Sequence, residues 1–337
     1  MREIETVNAA GHILCHDITQ IIPGKFKGAR FKKGHVIREE DIPVLISLGK
    51  EHVFVWENDG TLLHENDAAR ILLRICCGKG LEYTEPSEGK IEMKALCDGL
   101  LKVDEEGLYR LNSLGSICAA AVHTDTPVKA GDRVCGVRVI PLAVKKELME
   151  RAVTVTGKPL INILPYVKKH ARVAVTGNEI KSGIVKDKFT ETLGNKLAEY
   201  GIGIDEVVYT GDDSKYITDT ILGFAEAGTD MIFCTGGMSV DPDDKTPLAI
   251  RNTGADIISY GAPVLPGAMV MLAYLDGVPV AGLPGCVMYA RRTVFDLLLP
   301  RIAADDPVSR KDIVRLGAGG FCRNCEICTF PNCGFGK

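Results

Sequence analysis

The sequence predicts an α/β chain: a doubly wound, mostly parallel sheet in the C-terminal half, preceded by a small α+β segment and a β-rich domain. Two observations carry that prediction. Between Ala171 and Pro300, short apolar runs alternate with helical patterns, as expected of strands covered by helices on both faces. The run Met231–Cys234 is too short for anything but a buried strand, and Gly236-Gly237 behind it lets the backbone turn with positive φ and approach a ligand closely.

Length and charge set the frame. At 337 residues the chain exceeds one ordinary core and should divide into two or three domains. A formal net charge of −4 leaves no basic surplus, which argues against nucleic acid as the main partner. Met269–Leu275, the longest apolar stretch, falls far short of the roughly 20 residues of a membrane span, so no membrane partner is expected. The start MREIETVNAAGHILCHDITQ lacks a charged opening followed by an apolar core, so the expected location is cytoplasmic and the 12 cysteines are read as thiols rather than disulfides.

Residues 1–77 read as an α+β segment, with turn residues at Pro23-Gly24, a helix at Glu39–Leu48, a strand at His52–Trp56, and a helix from Asp67 to Cys77 whose apolar positions Ala68, Ile71, Leu72 and Ile75 share one face. His12, Cys15 and His16 lie close together, but no fourth metal ligand closes the set. Residues 78–142 read as a β-rich domain with strands at Lys94–Leu101, Leu108–Leu114, Ile117–Val122 and Arg133–Pro141, punctuated by Asp98-Gly99, Glu106-Gly107 and Gly131-Asp132. Residues 143–170 form a linker, whose helix is expected over Leu142–Thr154.

The α/β domain spans 171–305. Strands are expected at Arg172–Thr176, Ile204–Tyr209 and Met231–Cys234, with helices at Phe189–Tyr200, Ser214–Ala227, Thr246–Asn252 and Val287–Leu299. Asp276-Gly277 between two apolar runs is a strong hairpin signal. Gly177, Gly236, Gly237 and Gly285 each follow a strand, where backbone N–H groups can hold an anion such as phosphate. Neither a Gly-x-x-x-x-Gly-Lys-Ser/Thr nor a Gly-x-Gly-x-x-Gly run occurs, which disfavours ordinary nucleotide folds. Glu179, Asp187, Asp212, Asp213, Asp241, Asp243 and Asp244 fall on the same edge; such carboxylates either cap helices or, beside a phosphate, hold Mg²⁺.

Taken together, Thr176-Gly-Asn-Glu179, Asp187 ahead of a helix, Thr235-Gly-Gly-Met-Ser-Val-x-x-x-Asp244, Pro266-Gly267 and Gly282-Leu-Pro-Gly285 resemble the molybdopterin-binding domain shared by molybdopterin adenylyltransferases and molybdotransferases. The resemblance implies that Thr176, Gly177, Glu179, Thr235, Gly236, Gly237, Ser239, Pro284 and Gly285 bind molybdopterin or its adenylylated form through the terminal phosphate. It also implies metal-dependent catalytic roles for Asp244 and Asp187, and a homo-oligomer. Where molybdotransferases usually carry lysines around the Pro-Gly pair this chain has Leu265 and Ala268, Cys286-Val287 replaces a usual Asn-Pro, and the C-terminal β-domain of that family has no counterpart here. These departures touch catalysis more than binding.

Residues 306–337 carry Cys322-x2-Cys325-x2-Cys328-x4-Cys333. Four thiolates in one short loop suit an iron–sulfur cluster or tetrahedral Zn²⁺. Three functions fit the whole reading. One is an Mg²⁺-dependent transferase of molybdenum cofactor biosynthesis. Another is a non-enzymatic carrier that hands the finished cofactor to a molybdoenzyme client. The third is a nucleotide hydrolase or amidase of the competence-damage-inducible type, which shares the same α/β domain.

Overall fold

The computed structural model describes residues 2–22, 26–55, 60–239, 241–242 and 244–337. Trp56, the Pro23-Gly24 pair and Asp243, all used in the sequence reading, lie outside this range. The chain divides into two compact units, Met1–Leu96 with Val103–Thr124 and Ala130–Ile163, and Cys97–Lys102 with Asp125–Lys129 and Leu164–Lys337.

In the first unit, Leu81–Tyr83, Lys90–Ala95, Arg133–Val139 and Ile117–Ala121 form an antiparallel sheet in that spatial order. The helix Glu65–Cys76 buries Ala68, Ala69, Leu72 and Ile75, a spacing that gives one apolar face. Two antiparallel ribbons, Arg2–Glu5 with His52–Val55 and Ile18–Ile22 with Phe26–Phe31, belong to the N-terminal part, whose core gathers Leu14, Ile18, Ile37, Leu45, Val53 and Val55.

Three expectations fail here. Lys94–Leu101 is not one strand: Lys90–Ala95 and Gly99–Val103 are separate strands in different sheets. Leu108–Leu114 is not a strand: Glu105–Asn112 is a helix, capped by the Asp104 carboxylate accepting the Gly107 N–H at 2.9 Å. Gly107 reads as a turn in sequence but is a packing residue, since a Cβ there would lie 2.5 Å from the Leu160 side chain. The linker helix also starts later than expected, at Lys146, and ends at Thr156 before Gly157 with φ +73°.

The second unit holds the mixed six-stranded sheet. Its elements are β1 His170–Val175, α1 Asn178–Lys181, α2 Phe189–Ala198, β2 Gly203–Tyr209, α3 Ser214–Glu226, β3 Met231–Thr235, α4 Thr246–Asn252, β4 Asp256–Tyr260, β5 Met271–Leu275, β6 Val278–Leu283, α5 Val294–Ala303 and α6 Arg310–Arg315. Spatial order is β2-β1-β3-β6-β5-β4. The first four run parallel, while the β5–β6 hairpin across Asp276-Gly277 and the edge strand β4 are antiparallel.

Alternation along the strands sorts the core into two layers. Val173, Val175 and Phe233 pack on one face with Phe189, Leu193 and Leu197 of α2 and Phe295, Leu298 and Leu299 of α5. Ala174, Ile232 and Cys234 pack on the other with Ile217, Ile221 and Phe224 of α3 and Ala249 and Ile250 of α4. Helices thus cover both faces, as a doubly wound sheet requires.

The expected helix Val287–Leu299 is two elements. Gly285–Met288 is a short 3₁₀ turn, and α5 begins only at Val294, where Thr293 and Asp296 form a capping box. Among the described residues no helix is long and apolar enough to cross a membrane.

Candidate functional site

Strand register brings the glycine loops to one edge. Val175 of β1 stands opposite Thr235 of β3, and Thr235 opposite Leu283 of β6, so the three strands end level. Chain direction sends β2 to one side of β1 and β3 to the other, which places the crevice between β1 and β3 at the point where strand order reverses. That is where open parallel sheets bind ligands.

The loops after β1 and β3 interlock. The Thr176 N–H donates to the Thr235 carbonyl at 2.9 Å and the Thr176 hydroxyl to the same oxygen at 3.0 Å. From the start of α4, the Thr246 hydroxyl reaches the Gly236 carbonyl at 2.9 Å. Both glycines have positive φ, +86° at Gly236 and +57° at Gly237. A Cβ on Gly236 would lie 2.7 Å from Thr176 Oγ1 and 2.9 Å from the Thr176 carbonyl oxygen, and one on Gly237 2.7 Å from Thr246 Oγ1. Only glycine fits where backbones approach this closely. At Gly285, by contrast, a Cβ would meet open space.

One polar atom at this edge has no visible purpose in the fold. Thr235 is buried, and among the described residues its hydroxyl has no hydrogen-bond partner. An unpaired buried hydroxyl costs about 1–3 kcal/mol, which a ligand oxygen or a water would recover.

The carboxylates separate into scaffolding and available groups. Asp213 caps α3 by accepting the Lys215 and Tyr216 N–H groups, and Asp212 accepts the Asn178 N–H at 3.0 Å, tying together the loops after β1 and β2. Asp187 is a cap too: Oδ1 accepts the Phe189 and Thr190 N–H groups at 2.8 and 3.1 Å, and Oδ2 accepts the Thr190 hydroxyl at 2.5 Å and the Tyr209 hydroxyl at 3.3 Å. Both of its oxygens are therefore engaged.

Asp244 differs. Lys245 precedes α4, and the first N–H of that helix, at Thr246, donates to the Gly237 carbonyl at 3.2 Å. Asp244 Oδ2 instead accepts the Ser239 N–H at 2.7 Å, folding the loop back on itself at the edge. Glu179 is exposed in α1, with its carboxylate close to Gly177. Cys234 is fully buried and its thiol is pushed up to about 12 by that burial, a structural residue rather than a reactive one. Half-buried Cys286 is also raised, again by burial.

The cysteine tail is docked on the same unit. Cys322, Cys325, Cys328 and Cys333 all line one cavity of about 170 Å³. Its other walls include Arg323, Phe330 and Phe335 of the tail itself, Pro266, which the sequence assigns to the strand edge, and Arg291 and Arg292, which sequence reasoning missed because they lie in a separate segment. It also missed Thr246, whose contacts exist only once α4 meets β3. The two histidines of the first unit that matter most were not paired in sequence either. His16 and His64 line a polar cavity of about 390 Å³ with Lys33, Glu65, Glu88 and Arg138. His64 bonds the Cys15 carbonyl at 2.6 Å, while His16 Nδ1 is buried without a partner among the described residues; burial holds both imidazoles below the usual histidine range.

Parts of the chain are similar to known proteins. CinA-like proteins of Mycobacterium leprae and Mycobacterium tuberculosis are 35% identical over 80 residues and 28% over 93 residues, covering 24% and 27% of this chain and 19% and 22% of theirs. A probable FAD synthase of Caenorhabditis briggsae is 27% identical over 96 residues, covering 28% of this chain and 18% of its own. This chain thus spans about a fifth of the length of the curated relatives it matches. Among solved structures, CinA of Thermoplasma acidophilum covers 40% of this chain and 98% of itself at 19% identity with a TM-score of 0.35. The molybdopterin biosynthesis enzyme MoaB of Thermus thermophilus covers 42% and 98% at 17% identity with a TM-score of 0.35. Residues 3–57 match a domain of unknown function. Residues 172–304, which contain every glycine loop of the strand edge, match the family described as the probable molybdopterin binding domain.

Proposed function

We propose that this protein binds molybdopterin, or its adenylylated form, by the terminal phosphate at the β1–β3–β6 edge, and that it works in molybdenum cofactor biosynthesis. The observation that carries this reading is the level ending of three parallel strands in glycine loops, with the unpartnered Thr235 hydroxyl among them, inside the segment 172–304 matched by the pterin-binding family. Backbone N–H groups at Gly177, Gly236, Gly237 and Gly285 would hold the phosphate, with Thr176, Glu179, Ser239 and Pro284 shaping the pocket around it.

The residues present fit one Mg²⁺ ligand well and a second poorly. Asp244 offers a hard carboxylate oxygen at the phosphate edge, whereas Asp187 has both oxygens committed to capping α2 and to Tyr209. Bound there, Mg²⁺ would neutralise phosphate charge. Asp244 orients the β3–α4 loop through Ser239 whether or not the ion is present. A transferase acting in the cytoplasm as a homo-oligomer is the form of this function we favour, with a carrier for a molybdoenzyme client as the non-catalytic version.

Incubating the protein with adenylylated molybdopterin, molybdate and Mg²⁺ tests the reading: Mg²⁺-dependent AMP release supports transfer, and tight binding without turnover supports the carrier. A nucleotide hydrolase is the second reading, favoured by the CinA-like matches. Turnover of ADP-ribose or a nicotinamide nucleotide, with no affinity for the pterin, would establish it instead.

A further inference from the structure

The four cysteines of the tail stand apart from the pterin reading. All four line a single cavity, and its volume of about 170 Å³ is some tenfold more than the roughly 10–15 Å³ that one water-sized guest needs. Among the described residues no three thiols, imidazoles or carboxylates are gathered tightly enough to hold one metal ion. A tetrahedral ion needs four thiolates converging within about 2.3 Å of one point, a closer approach than a guest of several atoms demands.

Those walls are held in place before any guest arrives. The Cys322 N–H donates to the Leu265 carbonyl and the Leu265 N–H to the Gly320 carbonyl, each at 2.8 Å, which fastens the start of the tail to the Pro266 loop. Its far end closes back through the Gly336 N–H on the Gly319 carbonyl at 2.9 Å. Phe335 is buried in the core of the unit, and a Cβ on Gly336 would lie 2.5 Å from Leu297 of α5. From above α5, Arg291 Nη1 donates to the carbonyls of Cys325 and Glu326, and the Arg292 guanidinium lies 4.9 Å from the Phe330 ring centre.

Charge favours a guest ligated by anions. Arg291, Arg292 and Arg323 line the cavity beside apolar Pro266, Phe330 and Phe335. Thiolates drawn together here gain from cationic neighbours, and Arg291 and Arg323 stand on the same wall.

We propose that Cys322, Cys325, Cys328 and Cys333 hold a four-iron iron–sulfur cluster. Each thiol gives its proton to solvent as its sulfur bonds one iron, with no change in oxidation state on ligation. The proposal rests on the tail alone and stands whichever ligand the strand edge binds.

The test uses the full chain, purified without oxygen and reconstituted with ferric chloride, sulfide and dithiothreitol as reductant. The expected result is about four iron and four sulfide per chain with a broad visible absorption bleached by dithionite. The double variant Cys325→Ser, Cys328→Ser should lose iron, sulfide and colour while keeping its circular dichroism spectrum, because both thiols are exposed and outside the core. Cys118→Ser, at an exposed thiol of the other unit, should retain all three. One zinc per chain in the purified protein, a folded protein that takes up no iron, or a double variant with undiminished iron would each overturn the assignment. Pterin titration of the metal-free double variant reports on the strand edge separately.

Discussion

The strand edge and the cysteine tail occupy one unit but are built by opposite means. At the edge the working groups are backbone: glycines with positive φ, held against each other by Thr176 and Thr246, with side chains playing a supporting part. In the tail the working groups are side chains, four thiols whose backbone is merely fastened at Leu265, Gly319 and Arg291. A backbone site is damaged by adding atoms, and a side-chain site by removing them. The two meet in one short segment, since Pro284 and Gly285 belong to the edge and Arg291 and Arg292 to the cavity wall.

The group that joins the two regions should produce the largest effect. Lys196 of α2 is buried, pairs with buried Asp296 at 2.8 Å, and donates to the Arg291 carbonyl at 2.9 Å. Lys196→Met leaves the Asp296 charge with the Arg292 guanidinium and its Thr293 capping bonds, and should cost about 3–5 kcal/mol of stability, measured by denaturant unfolding. A loss below about 1 kcal/mol would show that Arg292 suffices and that the two regions are not braced through Lys196.

Gly236→Ala comes next. Left-handed backbone costs a non-glycine residue about 1–2 kcal/mol, and the Cβ must also displace the Thr176 backbone oxygen 2.9 Å away. The folded variant should lose pterin affinity by at least about tenfold while keeping its iron content. Equal loss of both would mean that the edge and the tail form one site rather than two.

Asp244→Asn keeps an acceptor for the Ser239 N–H but removes the charge. Mg²⁺-dependent turnover should fall on the order of 100-fold, with a much smaller change in pterin affinity. If kcat is unchanged, Asp244 only shapes the loop.

The smallest effect has an unusual sign. Thr235→Val removes the unpartnered hydroxyl and should leave the ligand-free protein as stable or up to about 1 kcal/mol more stable, while weakening pterin binding by roughly tenfold. Weakened stability would mean that the hydroxyl already has a structural water.

Much of this was legible in sequence where a local rule and the tertiary structure agree. The run Met231–Cys234 and the Asp276-Gly277 hairpin announce themselves, because burial on both faces makes a continuous apolar run and the turn needs those residues. The helix at Glu105–Asn112 was not read, since Gly107 looks like a turn unless one knows that Leu160 packs against it. The late start of α5 could have been found, because Thr293-x-x-Asp296 is a capping-box pattern lying in plain view. Asp187 and Asp244 look alike in sequence, and only the fold shows one spent on capping and the other facing the edge loop. The cavity arginines are hidden for the same reason: Arg291 and Arg323 are far apart in the chain and meet only when the tail docks.

Recognition of a phosphate by the strand edge can be measured in one titration. Binding of molybdopterin and of its dephosphorylated form to the wild-type protein should be measured side by side by pterin fluorescence. Removing the phosphate should weaken binding by about 100-fold or more, as expected for lost charge-assisted hydrogen bonds. Equal affinity for the two forms would contradict it.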